Sequence, residues 1–338
     1  MKKPRILLLF VGGTIAMEYQ SDSSLSPGQG AKNFLDFIPE LKDLFEIETV
    51  FIANVDSTNI QISHWERVAT IIHAKYQDFD GFVVTHGTDT MSYTASALSF
   101  ALKDLGKPVV LTGAQLPIID LRSDARLNLI NAFFVASMDL AEVVIVFGSR
   151  ILRGNRSTKV SESNFTGFET PKYPTLGKIR TNIKLYNFHK KRDKNNKPDL
   201  QALYNDNIAI FTVQPGVNPK FLDCLIDNNA SGIIITAVGA GNVPNATNSL
   251  VDSIRRAQTQ GIPVVIVTQC SHGAVNMEVY ETGSAALYAG AISGQDMTIE
   301  AATTKLMWVL GQTQNLAEIK TLMEQNLAGE LSPATSNE

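Results

Sequence analysis

The apolar residues of this chain are concentrated in short unbroken runs that end at glycine, threonine or serine. Runs of this length are typical of strands buried on both faces, as in parallel sheets. Between them lie segments with helical apolar spacing, such as 65–76, 93–105 and 250–260. This alternation predicts an α/β fold with a mainly parallel sheet. The predicted strand segments are RILLLFVGGT (5–14), GFVVTHGTD (81–89), KPVVLTGAQ (107–115), EVVIVFGSR (142–150), NIAIFTVQPG (207–216), SGIIITAVGAGN (231–242) and IPVVIVTQCS (262–271).

A charged and polar stretch divides the chain in two. HKKRDKNNKPD, at 189–199, has the composition of a linker or surface loop. The length of 338 residues is about twice that of a typical domain. We therefore expect a larger N-terminal α/β domain at 1–188, a linker at 189–206 and a smaller C-terminal α/β domain at 207–338.

Composition and charge exclude several classes of protein. The net charge of -4 gives no basic footprint for nucleic acid. No apolar run reaches the roughly 18 to 20 residues that cross a bilayer, and the run at 6–11 is too short for the core of a signal peptide. We therefore expect a cytoplasmic protein that binds neither nucleic acid nor membrane, in which Cys224 and Cys270 are buried free thiols.

The residues directly after the apolar runs are the candidates for chemistry, because ligands of open α/β sheets bind beyond the carboxyl ends of the strands. Gly12-Gly13-Thr14 combines a tight turn with a hydroxyl, although a plain turn fits as well. The lack of a GxGxxG pattern argues against a dinucleotide site. His86-Gly87-Thr88-Asp89-Thr90 puts a hydroxyl beside a carboxylate, which can bind an amino group or orient a proton-transfer partner. His86 has no paired acid at readable spacing and fits a packed or capping residue better than a general base.

Two further groups lie near predicted strand ends. Asp56-Ser57-Thr58 follows a strand at 49–55, and its small polar side chains fit either a plain turn or a grip on a carboxylate and an ammonium group. Lys159, in the segment 152–160, fits a solvated lysine; beside Thr88 and Asp89 it could instead accept a proton. His, Cys, Asp and Glu show no metal-ligand spacing, so we expect no metal.

Several of these segments resemble the asparaginase/glutaminase family. VGGTIA (11–16) and VTHGTDTMSYTASALSF (84–100) are similar to its two signature sequences. TGAQLP (112–117), RGNRSTK (153–159) and TQCSHGAVNM (268–277) extend the resemblance, in the family's order, over nearly the whole chain. The details are closer to the bacterial cytoplasmic, type I L-asparaginases than to the periplasmic ones. The resemblance implies an amidohydrolase that splits L-asparagine without a cofactor and has a larger N-terminal and a smaller C-terminal α/β domain.

The resemblance also implies roles for particular residues. Thr14 would be the nucleophile that forms an acyl-threonine intermediate, and Thr88, Asp89 and Lys159 the second catalytic group. A threonine hydroxyl is a weak nucleophile until a base takes its proton, and this network of groups can move that proton. Backbone N–H groups near Thr88 and in Gly113-Ala114 are candidate donors to the oxyanion. The implied substrate-binding residues are Asp56, Ser57, Thr58, Thr88, Asp89 and Ala114, with Asn242 contributed by a neighbouring subunit of a homodimer or homotetramer.

Two departures from the family pattern affect the region around the nucleophile. Val11 replaces the usual threonine before the glycine pair, which we expect to change local packing alone. In the Ser- and Gly-rich segment 18–30, which has the composition of a mobile lid, Leu25 stands where the family often has a tyrosine. Tyr19 lies upstream at a different spacing. The acceptor of the Thr14 proton is therefore open between the Lys159 group, a water molecule and Tyr19.

A third departure concerns regulation. Some cytoplasmic relatives bind asparagine at a second site, formed by the TQC segment and an arginine on the preceding strand. Thr268 and Cys270 are present here, but Thr236 stands in place of the arginine and cannot make a bidentate contact with a carboxylate. We expect such regulation to be weak or absent.

Other functions remain as alternatives. A mixed glutaminase-asparaginase acts on a substrate with one more methylene, which changes binding by about 1–3 kcal/mol. A catalytically disabled asparagine-binding protein would fit Leu25 in the lid, although the implied catalytic residues are intact. An amidotransferase component acting on charged tRNA is disfavoured, because such relatives carry an extra N-terminal domain and the first strand here begins by Arg5.

Overall fold

The structure, a computed structural model, describes residues 2–19, 25–27, 35–193 and 195–333. The chain divides into two compact units. Unit 1 comprises residues 1–170 and 174–202, and unit 2 comprises residues 171–173 and 203–338.

Unit 1 is built on a large mixed sheet. Its strands are β1 (Arg5–Gly12), β2 (Met17–Tyr19), β3 (Leu25–Pro27), β4 (Glu46–Val55), β5 (Gly81–Thr85), β6 (Leu102–Lys103), β7 (Val109–Thr112), β8 (Val143–Phe147), β9 (Arg150–Arg153), β10 (Thr158–Lys159), β11 (Phe168–Glu169), β12 (Gly177–Ile179), β13 (Ile183–Leu185) and β14 (Asp199–Leu200). Eight of these strands form one sheet in the order β13-β12-β9-β8-β7-β5-β1-β4. The strands β4, β1, β5, β7 and β8 are parallel to their neighbours in this set. The remaining strands β9, β12 and β13 pair antiparallel. The expected mainly parallel sheet is therefore confirmed.

The sequence of β1 explains why this sheet lies at the centre of unit 1. Its residues 6–11 are buried, as the unbroken apolar run predicts for a strand covered on both faces.

The helices of the unit are α1 (Glu40–Leu44), α2 (Ile62–Ala74), α3 (Met91–Ala101) and α4 (Ala125–Ala136). Helix α2 buries one stripe (Trp65, Val68, Ala69 and Ile72), whereas α3 is buried on all sides.

Unit 2 is a smaller α/β layer structure with its own parallel sheet. Its strands are β15 (Ile208–Thr212), β16 (Gly232–Ala237), β17 (Val264–Thr268) and β18 (Ile292–Ser293), in that order. Its helices are α5 (Pro219–Asp227), α6 (Val251–Thr259), α7 (Glu281–Tyr288), α8 (Ile299–Gln312) and α9 (Leu316–Glu324). A core of buried apolar residues lies between the sheet and helices α5, α6 and α7, with Ile233, Ile235 and Ile266 among its members.

Most of the polar stretch expected as a linker at 189–206 is assigned to unit 1. Residues up to 202 belong to unit 1. The Arg192 guanidinium donates to the backbone oxygens of Asp80, Ala136 and Met138, and β14 pairs with β6. These hydrogen bonds hold much of the polar stretch against unit 1, although its composition is that of a solvated loop.

The expectation of two buried thiols is wrong, since both Cys224 and Cys270 are exposed and free. Cys224 lies on α5, whose buried residues are Leu222 and Ile226, and Cys270 follows β17 in a loop. Among the helices that the structure describes, none is long and apolar enough to cross a membrane.

Candidate active site

Four neighbouring strands of unit 1 bring the candidate residues to one edge of the sheet. The strands β4, β1, β5 and β7 are adjacent and parallel, so their carboxyl ends meet at the same edge. The segments that follow them are 56–58, 13–14, 86–90 and 113–115. The sheet therefore collects residues that are up to about a hundred positions apart in sequence.

Three glycines allow these four segments to touch. A Cβ atom on Gly13 would lie 2.4 Å from the backbone nitrogen of Gly87, and one on Gly87 would lie 2.7 Å from the side chain of Ser57. A Cβ atom on Gly113 would lie 2.3 Å from the backbone oxygen of His86. A side chain at any of the three positions would push the loops apart. Thr14 and Thr88 each directly follow a glycine of this contact.

Thr14 begins a single turn of 3-10 helix, Thr14–Ala16, and is half-buried. Gly13 precedes it with a φ of 98°, a left-handed conformation that favours glycine. The backbone nitrogen of Ile118 donates to the oxygen of Ile15, which fastens the segment after β7 to this turn. The backbone around Thr14 is thus fixed by neighbours on two sides.

Lys159 connects the two polar residues of the second segment. Its Nζ atom donates to Thr88 Oγ1 at 2.8 Å and to Asp89 Oδ1 at 2.6 Å. Thr88 is buried and the Lys159 side chain is 16% exposed, whereas the Asp89 side chain is 58% exposed. The ammonium group thus acts on a shielded hydroxyl from one side and pairs with a partly solvated carboxylate on the other.

The path of the chain explains how Lys159 reaches this position. Residues 154–157 are buried, and Ser157 Oγ donates to Ser92 Oγ on α3 at 3.2 Å. The short strand β10 then pairs with β11 and holds Lys159 opposite Phe168. Because α3 begins directly after 88–90, packing on this helix brings the lysine to Asp89.

Gln115 is a site residue that the sequence reasoning missed. Thr88 Oγ1 donates to its Oε1 atom at 3.4 Å, and its Nε2 atom donates to the backbone oxygen of Asn164 at 3.1 Å. Gln115 therefore links Thr88 to the turn between β10 and β11. Its position directly after Ala114, at a strand end already singled out, was the available signal.

An acid at the start of α4 supports this loop. The Asp124 carboxylate accepts hydrogen bonds from the backbone nitrogens of Gln115 and Leu116. Burial raises the pKa of Asp124, and the two backbone donors act in the opposite direction. Asn128 donates to the oxygen of Gly113 at 3.0 Å and ties the same loop to α4.

Asp56, Ser57 and Thr58 form a capped turn beside the glycine contact. The Asp56 carboxylate accepts from the backbone nitrogen of Thr58 at 2.9 Å and from the Thr58 hydroxyl. Ser57 is buried, and its backbone oxygen accepts from the Thr90 hydroxyl at 2.7 Å. The turn is thus joined to the segment that carries Thr88 and Asp89.

His86 is packed, in agreement with the interpretation that it is not a general base. It is 1% exposed, and its two ring nitrogens lie 2.7 Å from the oxygen of Gly87 and 2.8 Å from Thr94 Oγ1. Burial lowers the pKa of His86 to about 4. The ring is therefore neutral at neutral pH.

Ala114 and Asn242 are the two remaining substrate-binding residues that the family resemblance implies. Ala114 is buried directly after Gly113, at the edge of the sheet described above. Asn242 belongs to unit 2, where it pairs with Val238 in an isolated bridge. In the part of the chain that the structure describes, its Oδ1 atom is buried without a hydrogen-bond partner.

The expected lid at 18–30 is described only in part, because residues 20–24 and 28–30 lie outside the described residues. Strands β2 and β3 pair antiparallel, with Tyr19 directly opposite Leu25. Two positions that are six residues apart in sequence are therefore neighbours in the backbone ladder.

Comparison with known proteins agrees with this arrangement. Residues 5–191 match the family model described as asparaginase, N-terminal, and residues 207–323 match the glutaminase/asparaginase C-terminal domain. The chain is 37% identical over 339 residues to L-asparaginase 1 of Escherichia coli strain K12, covering 98% of this chain and 99% of the relative. The chain therefore belongs to the asparaginase family.

A second relative and a solved structure extend the comparison. A glutamyl-tRNA(Gln) amidotransferase component from Pyrococcus abyssi is 36% identical over 344 residues, which cover 98% of this chain and 78% of the relative. The structure of the thermostable L-asparaginase from Thermococcus kodakarensis superposes with a TM-score of 0.89 at 35% identity, covering 98% of this chain and all of that one.

Proposed function

We propose that this protein is an L-asparaginase that hydrolyses L-asparagine to L-aspartate and ammonia through an acyl-threonine intermediate on Thr14. The observation that carries the proposal is the pair of hydrogen bonds from Lys159 Nζ to Thr88 and Asp89, at the strand ends that touch Gly13. A hydroxyl, an ammonium group and a carboxylate next to a second threonine supply the groups that acyl transfer requires.

In the first half-reaction, Thr14 Oγ1 attacks the carbon of the substrate's side-chain amide. The threonine proton is accepted by the Lys159 group, by a water molecule or by Tyr19. Backbone N–H groups of Thr88 and of Gly113-Ala114 stabilise the oxyanion. The proton taken from Thr14 passes to the leaving nitrogen, the C–N bond breaks, ammonia leaves, and the aspartyl group stays esterified to Thr14.

In the second half-reaction, water attacks the ester and releases aspartate. One proton of the water passes through the network of Thr88, Lys159 and Asp89 to Thr14 Oγ1, which regains its hydroxyl hydrogen as the ester bond breaks. The hydrogen bond from the Lys159 ammonium stabilises negative charge that develops on Thr88 Oγ1. Neither half-reaction calls for a metal or an organic cofactor.

The α-amino and α-carboxylate groups of the substrate are bound by the polar segments at the same edge. We assign these contacts to Asp56, Ser57, Thr58, Thr88 and Asp89, with Ala114 lining the site. Asn242 acts from a neighbouring subunit of a homodimer or homotetramer. We place the protein in the cytoplasm, without a membrane or nucleic-acid partner.

Ammonia release from asparagine and, separately, from glutamine tests the proposal and separates it from a mixed glutaminase-asparaginase. A ratio of kcat/KM above about 100 in favour of asparagine identifies an asparaginase, since one methylene is worth about 1–3 kcal/mol. Ammonia from neither amide, together with a higher unfolding temperature in asparagine, would identify a binding protein that has lost catalysis.

A further inference from the structure

The buried side chain of His86 forms a continuous chain of hydrogen bonds that no step of the proposed reaction uses. Its Nδ1 atom lies 2.7 Å from the backbone oxygen of Gly87. Its Nε2 atom lies 2.8 Å from Thr94 Oγ1, which also accepts a hydrogen bond from Trp65 Nε1 at 2.8 Å. His86 and Thr94 are at most 2% exposed and Trp65 is 7% exposed, so water does not compete for these bonds.

The partners of the ring determine where its proton is. A carbonyl oxygen can only accept, so Nδ1 carries the hydrogen and donates to Gly87. In a neutral ring Nε2 is then an acceptor, which takes the hydroxyl hydrogen of Thr94 while Thr94 accepts from the indole of Trp65. Each donor and acceptor in the chain is matched, and the ring has one tautomer and one orientation.

The bond to Gly87 has a consequence for Thr88. The Gly87 carbonyl and the Thr88 N–H belong to one planar trans peptide, so fixing the direction of the C=O fixes the N–H in the opposite direction. The side chain of Thr88 is held separately by Lys159. Among the described residues, the Thr88 N–H donates no hydrogen bond. The preceding peptide, between His86 and Gly87, adjoins Gly13, the residue before Thr14.

We infer that His86 is a positioning residue, which as the neutral Nδ1–H tautomer holds the Gly87–Thr88 peptide so that the Thr88 N–H is aimed at the oxyanion formed on Thr14. The inference rests on the proposed function, because it assigns the source of that donor's alignment. A donor that is already aligned stabilises the transition state more than a mobile one, because it needs no reorganisation as charge develops.

Two substitutions test the contributions of the two ring nitrogens separately. Asparagine carries an amide nitrogen at the place of Nδ1, and glutamine carries its polar atoms at the place of Nε2. His86→Asn therefore keeps the donor to Gly87 and loses the bond to Thr94, whereas His86→Gln does the reverse. Both are neutral and polar, so each serves as the control for the other.

We expect His86→Gln to lower kcat by roughly 10- to 100-fold and to leave KM within about twofold, because an oxyanion donor acts in the transition state. His86→Asn should restore most of that loss. Equal kcat values for the two variants, or a loss confined to KM, would overturn the inference even if the wild type is a fully active asparaginase.

A spectroscopic measurement on the wild type needs neither variant to fold nor any substrate. With 15N-labelled histidine, the ring nitrogens of His86 should report a neutral Nδ1–H tautomer throughout the range from about pH 5 to 8. An Nε2–H tautomer, or a titration near the ordinary pKa of about 6.5, would overturn the inference. If His86→Gln does not fold, this spectrum decides.

Discussion

The ammonium nitrogen of Lys159 lies 2.8 Å from the hydroxyl oxygen of Thr88, a residue 71 positions earlier in the chain. The same nitrogen is paired with Asp89 at 2.6 Å. The pairing depends on the packing of residues 154–157 against α3, which delivers Lys159 to the start of that helix. A cation, a hydroxyl and a carboxylate are thereby joined next to the loop that carries Thr14.

Removal of the Lys159 charge should therefore stop turnover without unfolding the protein. We expect Lys159→Met to lower kcat by about 10²- to 10⁴-fold, the range for loss of a proton-transfer group. Lys75→Met is the matched control, because Lys75 pairs with Glu48 at the same distance of 2.6 Å and has no place in the proposed site. Steady-state ammonia release measures both variants, and similar rates for the two would contradict the assigned role.

Because His86 is buried, the free energy of unfolding should depend on pH. Burial lowers its pKa to about 4, whereas a histidine in the unfolded chain titrates near 6.5. Between these values the unfolded chain binds a proton that the folded protein does not, so stability falls as the pH decreases from about 6.5 to about 4. Above pH 6.5 this contribution is constant. The total change is on the order of 3 kcal/mol.

Thermal unfolding of the wild type and of His86→Asn through this pH range isolates the effect. The asparagine side chain does not titrate, so the variant should lack this part of the acid destabilisation. Parallel pH profiles for the two proteins would show that His86 does not carry it.

The buried ion pair between Lys305 and Glu330 should make unit 2 sensitive to the loss of either partner. The two side chains are fully buried and lie 2.6 Å apart. Glu330 also accepts from the backbone nitrogens of Leu327 and Ala328, which fastens the segment after α9. Burial lowers the pKa of Lys305, while Glu330 acts in the opposite direction.

Glu330→Gln leaves the Lys305 charge buried without its partner, so we expect a loss of about 3–5 kcal/mol. Asp252→Asn is the control, since its pair with Arg255 has side chains 58% and 88% exposed and should contribute less than about 1 kcal/mol. The unfolding temperatures of both variants check this. A control as destabilised as Glu330→Gln would contradict the burial argument.

The rate should depend hyperbolically on the asparagine concentration. Thr236, which stands where some relatives have an arginine, is buried and donates its hydroxyl to Thr212 Oγ1 at 2.9 Å. It offers no cation to a second asparagine carboxylate. A clearly sigmoidal curve that Cys270→Ala converts to a hyperbolic one would contradict this expectation.

The strand ends could be predicted from sequence because buried parallel strands end where the apolar run ends. Thr14, Asp56 and Thr88 are candidates from this pattern, whereas Ala114 is implied by the family resemblance, and the adjacency of these strand ends follows from the strand order. The hydrogen bonds that hold Gln115 could not be predicted in this way. Its partners Asn164 and Asp124 lie on other elements, and no sequence pattern relates their positions to Gln115.

Two further features depend on tertiary contacts that composition does not encode. The polar stretch after 189 belongs to unit 1 through Arg192, whose bonds reach backbone oxygens more than fifty positions away. The exposure of Cys224 follows from its place on α5 relative to Leu222 and Ile226, which point to the core. The general tendency of free cysteines to be buried gave the opposite result at Cys224, and the composition of the polar stretch does not show which unit it packs on.

An assay of ammonia release with Thr14→Ala, the wild type and Thr14→Ser shows whether Thr14 is the nucleophile. Thr14→Ala should lose roughly 10⁴-fold or more in kcat while asparagine still raises its unfolding temperature, and Thr14→Ser should keep measurable turnover because it keeps a hydroxyl. A Thr14→Ala variant that is folded and retains more than about a tenth of the wild-type kcat would contradict the account.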